Sequence, residues 1–329
     1  VTRHTGPSAG PPTRGPEQPA REATRIVSQQ RFGGPEVLEA GRAPVPVPGQ
    51  GEVLLRLGAT AVNPVDCKLR AGRVRFLGDP PFTLGFDISG TIVEAGAGVT
   101  GMNPGVDVFG MIHSRTGTYS EFVIARADAL APCPPGVDHV MAAALPTAAL
   151  TARQAVDAAD PKPGETVLVH AAAGGVGHFA VQFAEHRGAH VVGTARLSNH
   201  RFVRELGATE VIDYTTTDFT AALDGVDVVL DLVGGAYGQR SLRVLRDNGR
   251  YITVQGSDAE GDARFRRVTG RPSPALLTEI GAAVAAGRVG VHVDRALTLD
   301  EVQDSHRLSE SGRVRGKLVL TPWRDRQAP

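Results

Sequence analysis

The stretch Val167-Leu-Val-His-Ala-Ala-Ala-Gly-Gly-Val-Gly-His-Phe-Ala-Val-Gln182 constrains this chain more than any other. Val167 to His170 is a short apolar, β-branched run that reads as a buried parallel strand. Gly174, Gly175 and Gly177 then make a tight turn at which backbone can come close to a ligand. Val176, Phe179, Ala180, Phe183 and Ala184 recur at helical spacing, leaving His178, Gln182, Glu185 and His186 for the opposite face. A helix opening on such a turn presents unpaired N–H groups and a partial positive charge, which suit a pyrophosphate. The spacing Ala172-x-Gly174-x-x-Gly177 is the G-x-G-x-x-G dinucleotide fingerprint with alanine in place of its first glycine. Such a triplet also fits an ordinary strand-to-helix turn, so its context decides. Ala189 to Thr194 follows as a strand at βαβ distance, and Glu210 to Tyr214, Val226 to Val233 and Gly249 to Val254 read as more. Asn199 to Leu206, Ala236 to Leu245 and Leu276 to Ala286 read as the helices of a doubly wound α/β domain.

The preceding part has another texture. From Ile26 to about Leu145 short strands alternate with Gly and Pro: Glu52 to Val62, Asp87 to Gly96 and Tyr119 to Ala125, with Pro44 to Gly49 as a turn-rich connector. That pattern predicts a compact, partly barrel-like β domain. Val140 to Ala159 turns helical and bridges into the fingerprint unit. Val291 to Thr321 carries a strand, a helix near Leu299 to Leu308 and a closing strand from Lys317 to Thr321, expected to return to the first domain. Val1 to about Arg25 is rich in Pro, Gly, Thr and Arg without apolar periodicity and reads as a disordered leader. The expected division is 1–25 leader, 26–148 with 290–322 catalytic, 149–289 nucleotide-binding and 323–329 tail.

The chain has 329 residues and a formal net charge of zero, which gives no electrostatic support for a nucleic-acid or membrane-surface partner. No apolar run reaches spanning length and the first residues lack an h-region, so a soluble, cytoplasmic protein is expected. Cys67 and Cys133 lie far apart and form no ligand pattern, as in a reduced compartment. No Gly-x-Ser-x-Gly elbow is present, which disfavours a hydrolase.

Five segments carry a resemblance: Asn63-Pro-Val-Asp-Cys-Lys-Leu-Arg-Ala-Gly72, Leu84-Gly-Phe-Asp-Ile-Ser-Gly90, Leu145-Pro-Thr-Ala-Ala-Leu-Thr-Ala152, Ala171-Ala-Ala-Gly-Gly-Val-Gly177 and Gly316-Lys-Leu-Val-Leu320. In this order the chain resembles the zinc-independent quinone oxidoreductase branch of the medium-chain dehydrogenase/reductase superfamily, from about Ile26 to Pro322. The resemblance implies a GroES-like catalytic domain, a Rossmann domain, a cleft where NADPH meets substrate, and a homodimer. Where zinc members of the superfamily carry their first ligand cysteine this chain has Asn63, and where they carry histidine it has Phe86. Neither an amide nor a benzene ring replaces thiolate and imidazole at zinc. Cys67 sits one residue beyond Asp66, off the ligand position. Gly105-Val-Asp-Val-Phe-Gly110 departs from the family's Gly-Asp-x-Val pattern.

Without a metal, hydride delivery to an enone or quinone needs a placed donor for the charge that builds on oxygen. Asn63 and Lys68, in the segment with which the family lines its cleft, are the candidates. An ammonium about 4 Å from that charge contributes on the order of 4 kcal/mol at an effective dielectric near 20. Lys68 fits a solvated lysine equally well, and Asp66 fits a residue that orders its loop by accepting backbone N–H bonds. The second strand ends in Gly193-Thr-Ala-Arg-Leu-Ser-Asn-His-Arg201, with no carboxylate for a ribose 2′-hydroxyl. Arg196 can instead meet a 2′-phosphate, assisted by Ser198 and Asn199, while Arg201 fits solvent as well. NADP(H) is therefore the expected cofactor. By the resemblance Tyr214 joins that site and Thr151 lies near the nicotinamide. Asn63, Gly174, Gly175, Val176, Gly177, Thr194, Val233 and Val254 complete the expected cofactor contacts, the last two at the carboxyl edge of the sheet. Phe76, Phe82, Met111, Ile112 and Tyr119 are candidates for an apolar pocket wall, with core packing as the alternative for each. The expected function is hydride transfer from NADPH to a quinone or α,β-unsaturated carbonyl. A biosynthetic enoyl reductase and a non-catalytic NADPH-binding sensor are the alternatives.

Overall fold

The computed structural model describes residues 23–324. The hairpin of β1 (Ala23–Ser28) and β2 (Glu39–Pro44) comes first. Its first residues were expected in the leader, but Glu121 draws them into the fold. The Glu121 carboxylate accepts the Arg25 backbone N–H at 2.9 Å and its Nε at 2.5 Å. The rest of the leader lies outside the described residues. β3 (Glu52–Val62) follows, then helix α1 (Pro64–Arg70), β4 (Asp87–Ala95), β5 (Asp107–Met111), β6 (Phe122–Arg126) and β7 (Leu130–Pro132). Inward-facing Val53, Leu55 and Leu57 of β3 meet Ile88 and Ile92 of β4 in the core of this lobe.

Helices α2 (His139–Ala143) and α3 (Pro146–Ala159) lead into the second lobe. It contains β8 (Thr166–Val169), α4 (Gly177–Glu185), β9 (His190–Ala195), α5 (His200–Glu205), β10 (Glu210–Asp213) and α6 (Phe219–Ala222). β11 (Val226–Asp231), α7 (Tyr237–Val244), β12 (Leu245–Thr253), β13 (Phe265–Arg267) and α8 (Pro274–Ala285) complete it. Its strands form one parallel sheet in the order β10-β9-β8-β11-β12-β13. The order reverses between β8 and β11, and such sheets bind ligands outside the carboxyl edge at that point. Val167, Leu168 and Val169 are fully buried between helix layers, which is why that strand reads as an unbroken apolar run.

The chain then returns to the first lobe through β14 (Val293–Thr298), α9 (Val302–Glu310) and β15 (Lys317–Thr321). β15 pairs antiparallel with β3, matching Leu318 to Val62 and Leu320 to Thr60, and completes a seven-stranded sheet. The crossing is stitched to α4. Gln182 Oε1 accepts the Gly290 N–H at 2.6 Å and its Nε2 donates to the Gly290 carbonyl at 3.0 Å. His178 Nδ1 donates to the Gly174 carbonyl at 3.0 Å while Nε2 accepts the His292 N–H at 3.4 Å. His178 and Gln182, expected on the polar face, are thus buried under the returning segment. No helix among the described residues is long and apolar enough to cross a membrane.

Candidate active site

Asn63 stands where β3 gives way to α1, with Pro64 as the first helical residue. Asp66, three residues on, reaches back so that its Oδ2 accepts the Asn63 backbone N–H at 2.8 Å, while Oδ1 accepts the Gly85 N–H at 3.1 Å. It orders the loop, as one reading of the sequence has it. Complete burial pushes its carboxyl up to about 7, against the pull of those N–H groups and with the push of nearby Asp87.

The Asn63 side chain is clamped from both ends. Its Nδ2 donates to Asp87 Oδ2 at 2.9 Å, and its Oδ1 accepts from Lys317 Nζ at 2.5 Å. Lys317 also lies 3.4 Å from Asp87 Oδ2, and Asp87 Oδ1 accepts the Thr147 N–H at 2.7 Å. Asn63, Asp87 and Lys317 are all buried. The Thr147 hydroxyl, buried beside the same carboxylate, has no hydrogen-bond partner among the described residues. A buried hydroxyl in that state is available to a bound molecule.

The fingerprint turn lies directly against this cluster. Gly316 N–H donates to the Ala173 carbonyl at 2.9 Å, and a Cβ on Gly175 would stand 3.2 Å from Lys317 Cδ. A Cβ on Gly177 would meet the Ala171 carbonyl oxygen at 2.1 Å, so only glycine fits there. Ala171 itself holds φ at 52°, a strained conformation for a residue with a Cβ. Gly174 has a freer flank, its nearest neighbour being Ala171 O at 3.3 Å. These features, with the N-terminus of α4, make a cradle suited to a diphosphate.

At the far end of the sheet edge Arg196 Nε donates to Tyr214 OH at 3.0 Å, bringing the two together. Arg315 from the returning segment adds Nε to Asn199 Oδ1 at 2.8 Å and Nη2 to the Ser198 carbonyl at 3.3 Å. Leu197 and Tyr214 are exposed there, apolar surface suited to a flat base, and Val233 is exposed past the end of β11. Val254 is half-buried nearby in sequence to β12. Thr194 is turned inward, its hydroxyl shared between His170 Nδ1 and the Ala171 N–H. Thr151 is buried against Gly270. Arg201 points to solvent and pairs with Glu205.

Lys68 bridges the lobes, its Nζ donating to Gln255 Oε1 at 2.6 Å, just past β12. Partial burial, then Arg73 and Arg267, hold its pKa below the usual lysine value. Of the five aromatic or apolar wall candidates only Phe76 is exposed. Phe82, Ile112 and Tyr119 belong to the core of the first lobe, and Met111 to the core that runs through α3 into the second. The sequence reading missed Asp87, Thr147, Gln255 and Lys317. Lys317 left one signal, a charge at the head of an apolar closing strand.

Among the described residues no group of three or more His, Cys, Asp or Glu side chains could hold a metal ion. Cys67 packs between α1 and α9, 3.5 Å from His306 Nδ1, and burial pushes its thiol up to about 12. The residues at the zinc positions, a clamped amide and a phenyl ring, do not fit a zinc ion.

Fold and site together define a two-lobed dehydrogenase/reductase with its nucleotide cradle beside a buried polar cluster. Residues 49–135 match the alcohol dehydrogenase GroES-like domain family and residues 206–320 the zinc-binding dehydrogenase family. The chloroplast envelope quinone oxidoreductase homolog of Arabidopsis thaliana is 33% identical over 316 residues, covering 88% of this chain and 95% of that protein. The 2-methylene-furan-3-one reductase of Solanum lycopersicum is 31% identical, covering 88% and 77%. Escherichia coli quinone oxidoreductase, solved as a complex with NADPH, superposes with a TM-score of 0.82 at 26% identity, over 91% of this chain and 100% of that one. The chain belongs to the quinone oxidoreductase branch of the medium-chain dehydrogenase/reductase superfamily.

Proposed function

We propose that this protein is a zinc-independent, NADPH-dependent oxidoreductase that reduces a quinone or an activated C=C bond of an α,β-unsaturated carbonyl. The observation that carries the reading is the position of Lys317. Its stem lies on the fingerprint glycine Gly175 while its ammonium lies on Asn63. Nucleotide cradle and polar cluster are therefore one site.

Bound NADPH supplies the hydride. The chain's own residues supply the rest. Gly175, Val176 and Gly177 would hold the diphosphate on backbone N–H groups, next to Gly174, whose own N–H closes the turn on the Ala171 carbonyl at 2.9 Å, and Arg196 with Tyr214, Ser198 and Asn199 would receive the 2′-phosphate. Asn63 keeps one amide N–H beyond its bond to Asp87, and the neighbouring Lys317 charge strengthens that N–H as a donor to an oxygen gaining charge. Lys68, held across the lobes by Gln255, is a second cation for the same charge. Asp66 serves by holding Asn63 in place.

The names of the relatives support the acceptor class: one is a reductase of an exocyclic enone, another a quinone oxidoreductase homolog. We place the protein in the cytoplasm as a homodimer, with the edge strand β13 as the pairing element. The test is NADPH oxidation with para-benzoquinone, cyclohexenone and methyl vinyl ketone on protein stripped with chelator. Turnover that survives chelation supports the reading, and no turnover with any acceptor, or turnover restored only by zinc, overturns it.

A further inference from the structure

An aromatic group beside Asn63 has no role in what has been described. Phe86 directly precedes Asp87, whose carboxylate holds Asn63. Its carbonyl accepts the Ile112 N–H at 2.8 Å, which sets His113 beside it, just beyond the ends of β4 and β5. The His113 ring centroid is 5.3 Å from that of Phe86 and 6.4 Å from that of Phe76, the latter edge-on at 87°. Phe76 lies 5.9 Å from Phe86. Phe86 is buried, yet Phe76 is 59% exposed and His113 is open to solvent. No hydrogen bond engages either His113 nitrogen among the described residues, although the ring stands against a cluster in which nearly every polar atom is paired. An exposed phenyl leaning on a buried one, with a free imidazole at its edge, is a surface built for a flat ring and a proton.

We propose that Phe76, Phe86 and His113 form the acceptor subsite, that it favours planar, ring-shaped acceptors over open-chain enones, and that His113 donates the proton that completes reduction. This rests on the reading of the protein as an NADPH-dependent reductase and says which acceptors it takes. In the reaction the bond broken is the C–H of the reduced nicotinamide, which is oxidised; its hydride pair forms a C–H bond at the electron-poor carbon, and the π electrons move to the carbonyl oxygen. The imidazolium of His113 gives its proton to that oxygen or to the α-carbon, leaving neutral imidazole, and water reprotonates the exposed ring. The charge that bears on His113 is Asp87 of β4, with Lys317 behind it. Arg115, two residues on, turns its guanidinium to the carbonyls of Leu77, Asp79 and Pro81. Partial burial lowers the imidazole pKa while Asp87 raises it. Turnover should therefore rise as pH falls towards the imidazole range.

The experiment compares wild type, His113→Gln and Phe76→Ala with full-length enzyme and NADPH between about pH 5.5 and about pH 8. His113→Gln should lower kcat about 10²-fold and remove the rise at acid pH, the scale of a lost general acid. Phe76→Ala should lower kcat/KM for para-benzoquinone about tenfold more than for methyl vinyl ketone. NADPH affinity, read by its fluorescence, should stay within about twofold in both variants. Without cofactor, saturation-transfer NMR with phenol should report weaker binding to Phe76→Ala than to wild type. If wild type turns over but His113→Gln keeps its kcat and its pH profile, His113 is not the donor. If Phe76→Ala binds phenol and discriminates acceptors as wild type does, the ring site is wrong. If wild type itself oxidises no NADPH with any acceptor, the functional reading fails first and the subsite with it.

Discussion

The Lys317 ammonium sits 2.5 Å from the side-chain carbonyl of Asn63, joining residues 254 positions apart in a pocket that excludes solvent. The pair works as a unit with Asp87, because each of the three supplies what the other two require.

Lys317→Met should expose this dependence. It leaves the Asp87 carboxylate fully buried with only Asn63 and the Thr147 N–H as partners, and breaking one side of a buried ion pair costs about 3–5 kcal/mol. Denaturant unfolding should register a loss of that size. Adding Asp87→Asn should restore part of it; a single variant as stable as wild type would show that the ammonium is dispensable.

Arg196→Ala should erode the preference for NADPH. A charge-assisted pair to a 2′-phosphate is worth about 1.5–3 kcal/mol, so wild type should favour NADPH by about tenfold or more in kcat/KM. The variant should bring the two cofactors together, mostly through KM for NADPH. Equal use of both cofactors by wild type would remove Arg196 from the site.

Two glycines of one turn should behave differently. Gly177→Ala places a Cβ against the Ala171 carbonyl, whereas Gly174→Ala meets its nearest atom at 3.3 Å. NADPH affinity measured by fluorescence should fall far more for the first than for the second. Equal losses would mean that contact with the ligand, not the turn's own geometry, demands the glycines.

Lys68→Ala should lower kcat for an enone by about tenfold or more if its charge reaches the developing oxyanion. An unchanged kcat would leave Lys68 as a latch between the lobes, held by Gln255.

Acid should unfold the protein early. Burial lowers His170 and His178 to about 4 and His306 to about 3, below the ordinary 6.5. Each is neutral when folded and takes up a proton on unfolding, so its contribution is intact above pH 6.5 and fades as pH falls towards its folded value. Asp66, raised to about 7, acts in the opposite sense: its contribution is full below 3.8 and is lost as pH rises through 7. Between about pH 4.5 and 6 unfolding therefore takes up about two protons net from these groups, on the order of 2–3 kcal/mol per pH unit. Urea midpoints across that range check it, and His306→Gln should flatten the slope by about one proton.

Much of this architecture was legible from residues alone. Glu52 to Val62 reads as a strand and is one, because its alternating apolar side chains meet a core on one face. The fingerprint unit was equally clear, since strand, glycine turn and helix carry their signals locally. Signals failed where a distant segment overrides local chemistry. His178 and Gln182 are polar residues on a helix and look solvated, yet the returning chain covers them and takes up their hydrogen bonds. Phe82 and Tyr119 looked as eligible for a pocket as Phe76, and only the packing of the first lobe separates them. Lys317 belongs to the site through a strand pairing that spans most of the chain.

That pairing also orders the birth of the molecule. Until residues 318–320 arrive, Thr60 to Val62 of β3 lack a neighbour on one side, so a chain still being synthesised carries a bare strand edge while the nucleotide-binding lobe is already complete. Backbone groups left open in that way attract other open edges. A chain that ends between α8 and β15 thus presents at Thr60 to Val62 the open edge that the finished fold covers.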